Sequence, residues 1–182
     1  VDLQYRFVPW QHHLAQWGLG YRFTKSKVST KDGYGVGFGH SSYDDNLFSA
    51  FLQDEITLGD WILTIGSKFQ HNDQTGMEYM PSAHLLWHVT PAHSLWGAVS
   101  RAIRTPSIVE QDAVYDIEAI PPSEMGGPFP GQISVQGNSD IDSEDALVYE
   151  LGYRYTPSKN FYFDTSAYIT KTDNMPGAAL DI

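Results

Sequence analysis

Apolar and polar residues alternate along most of the chain with a period of two, which is typical of β-strands that have one apolar face. The stretch 61–70 (WILTIGSKFQ) shows the pattern best, because its large apolar residues share one face: Trp61, Leu63, Ile65 and Phe69. We find no long amphipathic helix. The alternation predicts eight strands, at residues 1–8, 12–24, 47–58, 61–70, 81–90, 93–104, 146–156 and 161–171.

The predicted connections fall into two kinds. Short breaks occur near Pro9, Gly59, Pro91 and Pro157. Long polar stretches at 25–46, 71–80 and 105–145 alternate with them, and the last contains five of the ten prolines, so we expect no regular structure there. Short turns at one end and long loops at the other are typical of outer-membrane barrels.

Strand length and aromatic placement favour the same fold class. The predicted strands have about ten residues, enough to cross a bilayer at a tilt, whereas strands of soluble proteins have about half that length. Aromatic residues stand near the strand ends, where interfacial girdles lie: Trp10, Trp61, Tyr155 and Phe161. A soluble antiparallel sandwich explains the alternation but not the asymmetry of the loops. The sequence therefore predicts an all-β fold, an antiparallel up-and-down transmembrane β-barrel segment.

Composition narrows the function more than the fold. The mean hydropathy of -0.33 suits a soluble protein or a barrel, and no run of 18 apolar residues predicts a transmembrane helix. The absence of cysteine excludes disulfides and thiol chemistry within these 182 residues. The net charge is -11, and nine of the 22 acidic residues lie in 105–145, which has no Lys or Arg. An acidic chain without a basic stripe argues against nucleic-acid binding.

The number of strands leaves two arrangements open. Eight strands can close into a small barrel by pairing the first with the eighth. The chain begins in a strand and ends in a predicted loop, so we expect instead a partial barrel domain over 1–182, about eight strands of a larger barrel. In this interpretation, 105–145 is a long acidic extracellular loop. The alternative function is that of a soluble β-rich module that binds carbohydrate or protein.

Five short stretches, in this order and spacing, resemble the barrel domain of TonB-dependent outer-membrane receptors: 48–55 (FSAFLQDE), 63–69 (LTIGSKF), 81–83 (PSA), 100–107 (SRAIRTPS) and 149–154 (YELGYR). The resemblance implies a barrel of roughly 22 strands closed by an N-terminal plug. It also implies import of a scarce nutrient across the outer membrane of a Gram-negative bacterium. The most common cargo is a ferric siderophore, and haem and cobalamin are others. Energy would come from the TonB protein through the plug region, which we expect to be missing here together with the barrel ends.

Candidate ligand contacts are few. His84 and His88 share a predicted inner face but lie about 13 Å apart along one strand, too far to chelate one metal. Arg104 is expected to face inward and to pair with a carboxylate such as Glu144. Tyr34, Tyr43 and Tyr79 lie in or beside loops, where they can stack on a ligand or serve as interfacial aromatics. The candidate ligand-binding residues are therefore His84, His88, Arg104 and Tyr79. The alternative is structural: the two histidines are polar side chains of the lumen, Arg104 belongs only to its ion pair, and Tyr79 is an interfacial aromatic.

No catalytic residue, metal ligand or cofactor is predicted, and no enzyme motif is present. Asp140, Asp142 and Glu144 alternate in the acidic loop. They lack the glycine-spaced ligand pattern of an EF-hand, so we favour a solvated loop over a calcium site.

Overall fold

The computed structural model describes residues 1–29, 36–120 and 131–177. These ranges contain eleven strands and one short helix, and no helix among them is long and apolar enough to cross a membrane. The strands are β1 (Asp2–Phe7), β2 (His13–Lys27), β3 (Val36–Phe38), β4 (Ser42–Leu58), β5 (Trp61–Asn72), β6 (Gly76–Thr90), β7 (His93–Arg104), β8 (Ala113–Ile120), β9 (Gly131–Gln136), β10 (Glu144–Ser158) and β11 (Phe161–Asp173). The helix is α1 (Ile108–Asp112).

Eight strands form one antiparallel sheet in the order β1-β2-β4-β5-β6-β7-β10-β11. Each strand pairs with the next strand of the sheet along the chain, which is up-and-down topology. β1 and β11 lie at the two edges, and they do not pair with each other in the described residues. The sheet is therefore open, and the small closed barrel is not formed.

One face of this sheet, called the outer face below, carries large apolar side chains that remain exposed. Trp61 lies opposite Trp87 and stacks on it with ring centroids 4.6 Å apart, and Leu63 lies opposite Leu85. Leu52 is 60% exposed and Leu151 is 68% exposed. No large apolar side chain is buried among the residues whose burial the structure describes; the buried apolar residues there are Ala15, Pro106 and Ala113. A two-sheet sandwich would hide these side chains in a core, so the soluble interpretation is wrong and the predicted outward apolar band is confirmed.

The opposite face, the inner face, is smoother because aromatic rings lie over glycines. The Phe51 ring lies against Gly18 on the neighbouring strand, and the Trp96 indole lies against Gly152. A methyl group at either glycine would overlap the ring. These glycines therefore let bulky side chains lie flat along the inner wall instead of projecting from it.

The turns at one end of the strands follow the prediction, whereas the connections at the other end differ from it. Gly59-Asp60 is a tight turn in which Gly59 has φ 60°, a value that favours glycine. The predicted loop 71–80 is wrong, because β5 and β6 are joined by residues 73–75 alone. Asn72 Oδ1 accepts hydrogen bonds from the backbone N–H groups of Gln74 (2.9 Å) and Thr75 (2.7 Å), which stabilises this turn. The strict alternation of short and long connections therefore fails at this hairpin.

The other two predicted loops are also more ordered than expected. β2 extends to Lys27 and β4 begins at Ser42, so the stretch 25–46 is partly strand. Within 105–145, α1, β8 and β9 are regular, and β8 pairs with both β9 and β3 in a separate three-stranded sheet. We call β3, α1, β8 and β9 the loop layer. The prolines that suggested an irregular loop are Pro106, just before α1, and four residues outside the described ranges.

Candidate ligand-binding wall and loop layer

The inner face is the polar face of the wall. Because side chains alternate, every second residue of each strand projects there. Across the middle of the sheet these include Gln53, Thr64, Lys68, Ser82, His84 and Glu150. A polar surface of this kind suits a water-filled lumen.

His84 and His88 both lie on the inner face but do not form one site. His84 stands between Thr64 and Ala98 on the adjacent strands and is exposed. His88 lies near the short turns, where its Nδ1 is 3.0 Å from the hydroxyl of Ser94. No group of three His, Cys, Asp or Glu side chains that could hold a metal occurs in the part of the chain that the structure describes.

Arg104 lies at the loop end of β7 and contacts two carboxylates. Its Nε donates to Glu144 Oε2 at 2.7 Å across the β7–β10 pair, as predicted. Its terminal nitrogens donate to both oxygens of Glu110 in α1, at 2.9 and 3.0 Å. This bidentate contact is the geometry in which a guanidinium binds a carboxylate most strongly. Arg104 therefore joins the wall to the helix above it.

A capping box fixes α1 in that position. The Ser107 hydroxyl accepts from the backbone N–H of Glu110, and the Glu110 carboxylate accepts from the backbone N–H of Ser107. Hydrogen bonds from Arg104 first, and then from Ser107, lower the pKa of Glu110 to about 2. The Ser107-x-x-Glu110 spacing was a visible signal for this helix.

Tyr79 lies on the outer face, so the sheet separates it from His84. Its ring lies under the guanidinium of Arg101, with Arg101 Cζ 4.4 Å from the ring centroid. Arg101 Nε also donates to Asp145 at 2.6 Å. Tyr79 thus belongs to a charged cluster of the outer face near the loops and is remote from the other three predicted residues.

Asp112, at the end of α1, joins two loops that are distant in sequence. Its carboxylate accepts from the hydroxyl of Tyr43 and from the backbone N–H of His40 (2.8 Å), and the Nδ1 of His40 is 3.3 Å from both oxygens. The backbone N–H of Gly39 donates to the carbonyl of Asp112 at 3.2 Å. The Tyr43 hydrogen bond and then those from His40 lower the pKa of Asp112. We call these contacts the Asp112 latch.

Two candidate residues from the sequence, Tyr43 and Glu144, are engaged in contacts within the chain. Tyr43 is part of the latch, while Tyr34 lies outside the described residues. Glu144, one of the three alternating acids considered for calcium, is occupied by Arg104. The sequence did not predict the latch, because its members come from positions about 70 residues apart.

This sheet has an exposed apolar face, a polar opposite face and loops packed at one end of its strands. These features define the wall of a transmembrane β-barrel. The family model described as TonB dependent receptor-like, beta-barrel matches residues 1–181. The chain belongs to this family of receptors, and its location is the outer membrane of a Gram-negative bacterium.

Two curated relatives and two solved structures show how far the similarity extends. The chain is 24% identical over 122 residues to an iron-regulated outer membrane virulence protein of Vibrio cholerae, covering 66% of this chain and 17% of that protein. It is 28% identical over 120 residues to a ferric enterobactin receptor of Pseudomonas aeruginosa, covering 64% and 15%. The chain thus spans less than a fifth of the length of these relatives.

The solved structures show the same fold. A ferric enterobactin receptor from Pseudomonas aeruginosa superposes with a TM-score of 0.74 at 17% identity, covering 94% of this chain and 26% of that one. A siderophore receptor from Acinetobacter baumannii gives 0.66 at 16% identity, covering 96% and 31%.

Proposed function

We propose that this chain forms part of the wall of a TonB-dependent transporter that imports a scarce nutrient, and that the cargo is a ferric siderophore or a similar metal complex. The proposal rests on the placement of the side chains, which is the reverse of that in a soluble protein: apolar residues are exposed on the outer face and polar residues line the inner face. The names of the relatives support the cargo, since they are iron-regulated or siderophore receptors. The role is that of a receptor and not of an enzyme.

The partners follow from the same proposal. Outer-membrane lipid would contact the outer face, and the inner face would surround a plug through which the TonB protein supplies energy. The stretch 105–145, with α1, β8 and β9, would be an extracellular loop. Ser139→Cys places a thiol on the exposed end of that stretch, and the same protein without this substitution is the control for labelling at any other cysteine. A membrane-impermeant maleimide should label it on intact cells, and labelling only after lysis would contradict this orientation.

Among the predicted ligand-binding residues, His84 is the best placed. It is exposed on the inner face, and no side-chain hydrogen bond occupies it within the described residues. The Nδ1 of His88 is hydrogen-bonded to Ser94, and the Arg104 guanidinium forms ion pairs with two carboxylates. Arg104 would therefore position the loop layer, while His84 would contact the passing complex. Because Tyr79 lies on the outer face near the loops, it would contact only a ligand bound on that side of the sheet.

The test uses the full-length gene, deleted and then restored, in cells grown with little iron. Uptake of ⁵⁵Fe-labelled siderophores of catecholate and hydroxamate types should disappear in the deletion strain and in a strain lacking TonB. His84→Ala should reduce uptake more than His88→Ala, with Thr64→Ser as the matched inner-face control. Unchanged uptake of every iron complex, haem and cobalamin in the deletion strain would contradict the proposal.

A further inference from the structure

Phe51 on β4 is a large aromatic residue of the inner face, and it is only partly buried. A Cβ added to Gly18 on β2 would lie 2.3 Å from Phe51 Cε1 and 2.9 Å from Phe51 Cζ, so the ring covers that glycine. On the other side of β4, Gly66 lies diagonally opposite Phe51. Because neither glycine has a side chain, neither covers the ring, and the ring faces the lumen.

Lys68 lies directly opposite Phe51 on β5, and the Cβ atoms of such a cross-strand pair are about 5 Å apart. Its side chain is exposed and forms no ion pair in the part of the chain that the structure describes. By contrast, the guanidinium groups of Arg104 and Arg154 on the same face are held by carboxylates. The ammonium of Lys68 therefore remains available to an anion that enters the lumen.

Uncharged polar side chains surround this pair. Gln53 lies two residues after Phe51 on β4, and Gln70 lies two residues after Lys68 on β5, so both project from the same face. Neither amide makes a side-chain hydrogen bond within the described ranges, and each can donate to an oxygen of a ligand. Glu78 lies opposite Gln70 on β6 and forms no ion pair with Lys68. The ring, the ammonium and the two amides are thus free to act together.

This combination of groups suits a flat aromatic ring that carries anionic oxygens. The ring would stack on Phe51, while its oxygens would accept hydrogen bonds from the Lys68 ammonium and from the amides. A catecholate joins both features in one group, since two adjacent anionic oxygens stand on one six-membered ring, and a ferric tricatecholate complex keeps a net negative charge. A hydroxamate group has no aromatic ring and would leave Phe51 without a stacking partner.

The position of the pair places it before His84 on the path from the loops. Lys68 is four residues before Asn72, the last residue of β5, and so lies about 13 Å from the β5–β6 turn. Met80 lies opposite Lys68 on β6, and His84 is four residues farther towards the short turns. A complex that enters from the loop side would therefore reach Phe51 and Lys68 before it reaches His84.

We propose that Phe51 and Lys68 form a binding subsite for an anionic aromatic group of the cargo, so that the transporter prefers ferric catecholates to ferric hydroxamates. The ring of the ligand stacks on Phe51, and its oxygens bind Lys68. This inference rests on the proposed function and narrows its substrate class. Import of a scarce nutrient does not require the subsite, whereas the subsite requires a preference for catecholates.

The experiment measures equilibrium binding of ⁵⁵Fe-labelled ferric enterobactin, a tricatecholate, and ferrioxamine B, a trihydroxamate, to cells that carry the full-length protein and are kept on ice. The wild type should bind the tricatecholate more tightly. Lys68→Gln should weaken that binding at least about tenfold, since loss of one charge-assisted hydrogen bond is enough for that. Phe51→Leu should weaken it about three- to tenfold through loss of stacking. Binding of ferrioxamine B should stay nearly the same in both variants.

Two further variants are the controls. Lys68→Arg keeps the positive charge and should retain most of the binding. Arg6→Gln removes an exposed cation of the same face near the short turns, so it matches the charge change of Lys68→Gln and should bind as the wild type does. Heat-dependent mobility on a gel checks folding, and the variants of the exposed Lys68 report on the subsite even if Phe51→Leu does not fold.

The subsite and the proposed function fail in different ways. Unchanged tricatecholate binding in Lys68→Gln, an equal loss in Arg6→Gln, or an equal loss of both complexes in Lys68→Gln would overturn the subsite. A wild type that binds and imports ferrioxamine B, haem or cobalamin but no catecholate would overturn the subsite and leave nutrient import in place. A wild type that binds and imports none of these compounds would contradict the proposed function as well.

Discussion

The wall and the loop layer are built from one chain but follow opposite rules of packing. In the wall, large apolar side chains such as Leu52 and Leu151 are exposed, and close packing occurs where Phe51 and Trp96 lie on glycines. In the loop layer, Ala113 is fully buried, and the Glu110 carboxylate is paired with Arg104 of the wall. The loop layer therefore resembles a small piece of a soluble protein, attached to a sheet whose solvent on one side is lipid.

The difference indicates what stabilises each region. In the wall, hydrogen bonds between neighbouring strands satisfy the backbone N–H and C=O groups. Contact of the apolar face with hydrocarbon lowers the free energy of the folded barrel further. Capping, ion pairs and the Asp112 latch stabilise the loop layer, where water competes for every polar contact. The same kind of substitution should consequently have very different effects in the two regions.

A charge on the outer face of the wall should have the largest effect. Leu85→Arg places a guanidinium against hydrocarbon and should reduce the free energy of unfolding in phospholipid vesicles by about 2–4 kcal/mol. Leu86→Arg, the adjacent residue of the same strand, faces the lumen and should cost about 0.5 kcal/mol. Urea titration of the full-length barrel measures both, and equal losses would mean that the faces are assigned wrongly.

Overpacking on the inner face should come next. Gly152→Ala places a methyl group against the Trp96 indole and should cost about 1–3 kcal/mol, because a ring in the wall cannot move aside without entering the lumen. Gly97→Ala is the matched control on the outer face, where the methyl group has room, and it should be close to neutral. A greater loss at Gly97 than at Gly152 would contradict the packing described for the two faces.

The two regions also differ in how much the sequence reveals. The wall is predictable because its pattern is local: a period of two and a turn signal are enough, and β7 was predicted with the bounds that the structure has, 93–104. The hairpin at 73–75 was missed because a polar, glycine-containing stretch also suits a strand that faces water on one side. No composition rule separates these two cases.

The loop layer was hidden because its contacts are non-local. Val36 pairs with Tyr115, and the partners of Asp112 are at positions 40 and 43. Glycine and proline indicated loops at both places, and only pairing between the loops makes them regular. Of the candidate site, the Arg104–Glu144 pair is predictable from strand order. A position beside a loop does not reveal that Tyr79 lies on the outer face.

Breaking the latch should loosen the loop layer without harming the wall. Asp112→Asn keeps the shape of the side chain but weakens the hydrogen bonds from Tyr43 and His40, because an amide oxygen is a weaker acceptor than a carboxylate. Amide hydrogen exchange at Val36–Phe38 and at Gly39 should become several-fold faster, while exchange in β5 and β6 stays the same. Tyr43→Phe should have a similar effect, and the double variant should add little to either single one. Additive effects would show that Tyr43 and Asp112 act separately.

Acid should produce the smallest effect, and it should be confined to the loop layer. The pKa of Glu110 is about 2 in the folded protein, below its ordinary value of 4.5, so its ionised form is stabilised by folding. That contribution is fully present above pH 4.5 and is lost as the pH falls towards 2. Since Arg104 is half exposed, salt should reduce the effect further. Hydrogen exchange at α1 should therefore rise between pH 5 and pH 2.5, beyond the intrinsic change of the exchange rate, and Glu110→Gln should remove that extra dependence. If the additional pH dependence of hydrogen exchange persists in Glu110→Gln, Glu110 is not its source. The acid-sensitive group would then be Asp112, whose pKa is also lowered, and the acid-sensitive contact would be the latch.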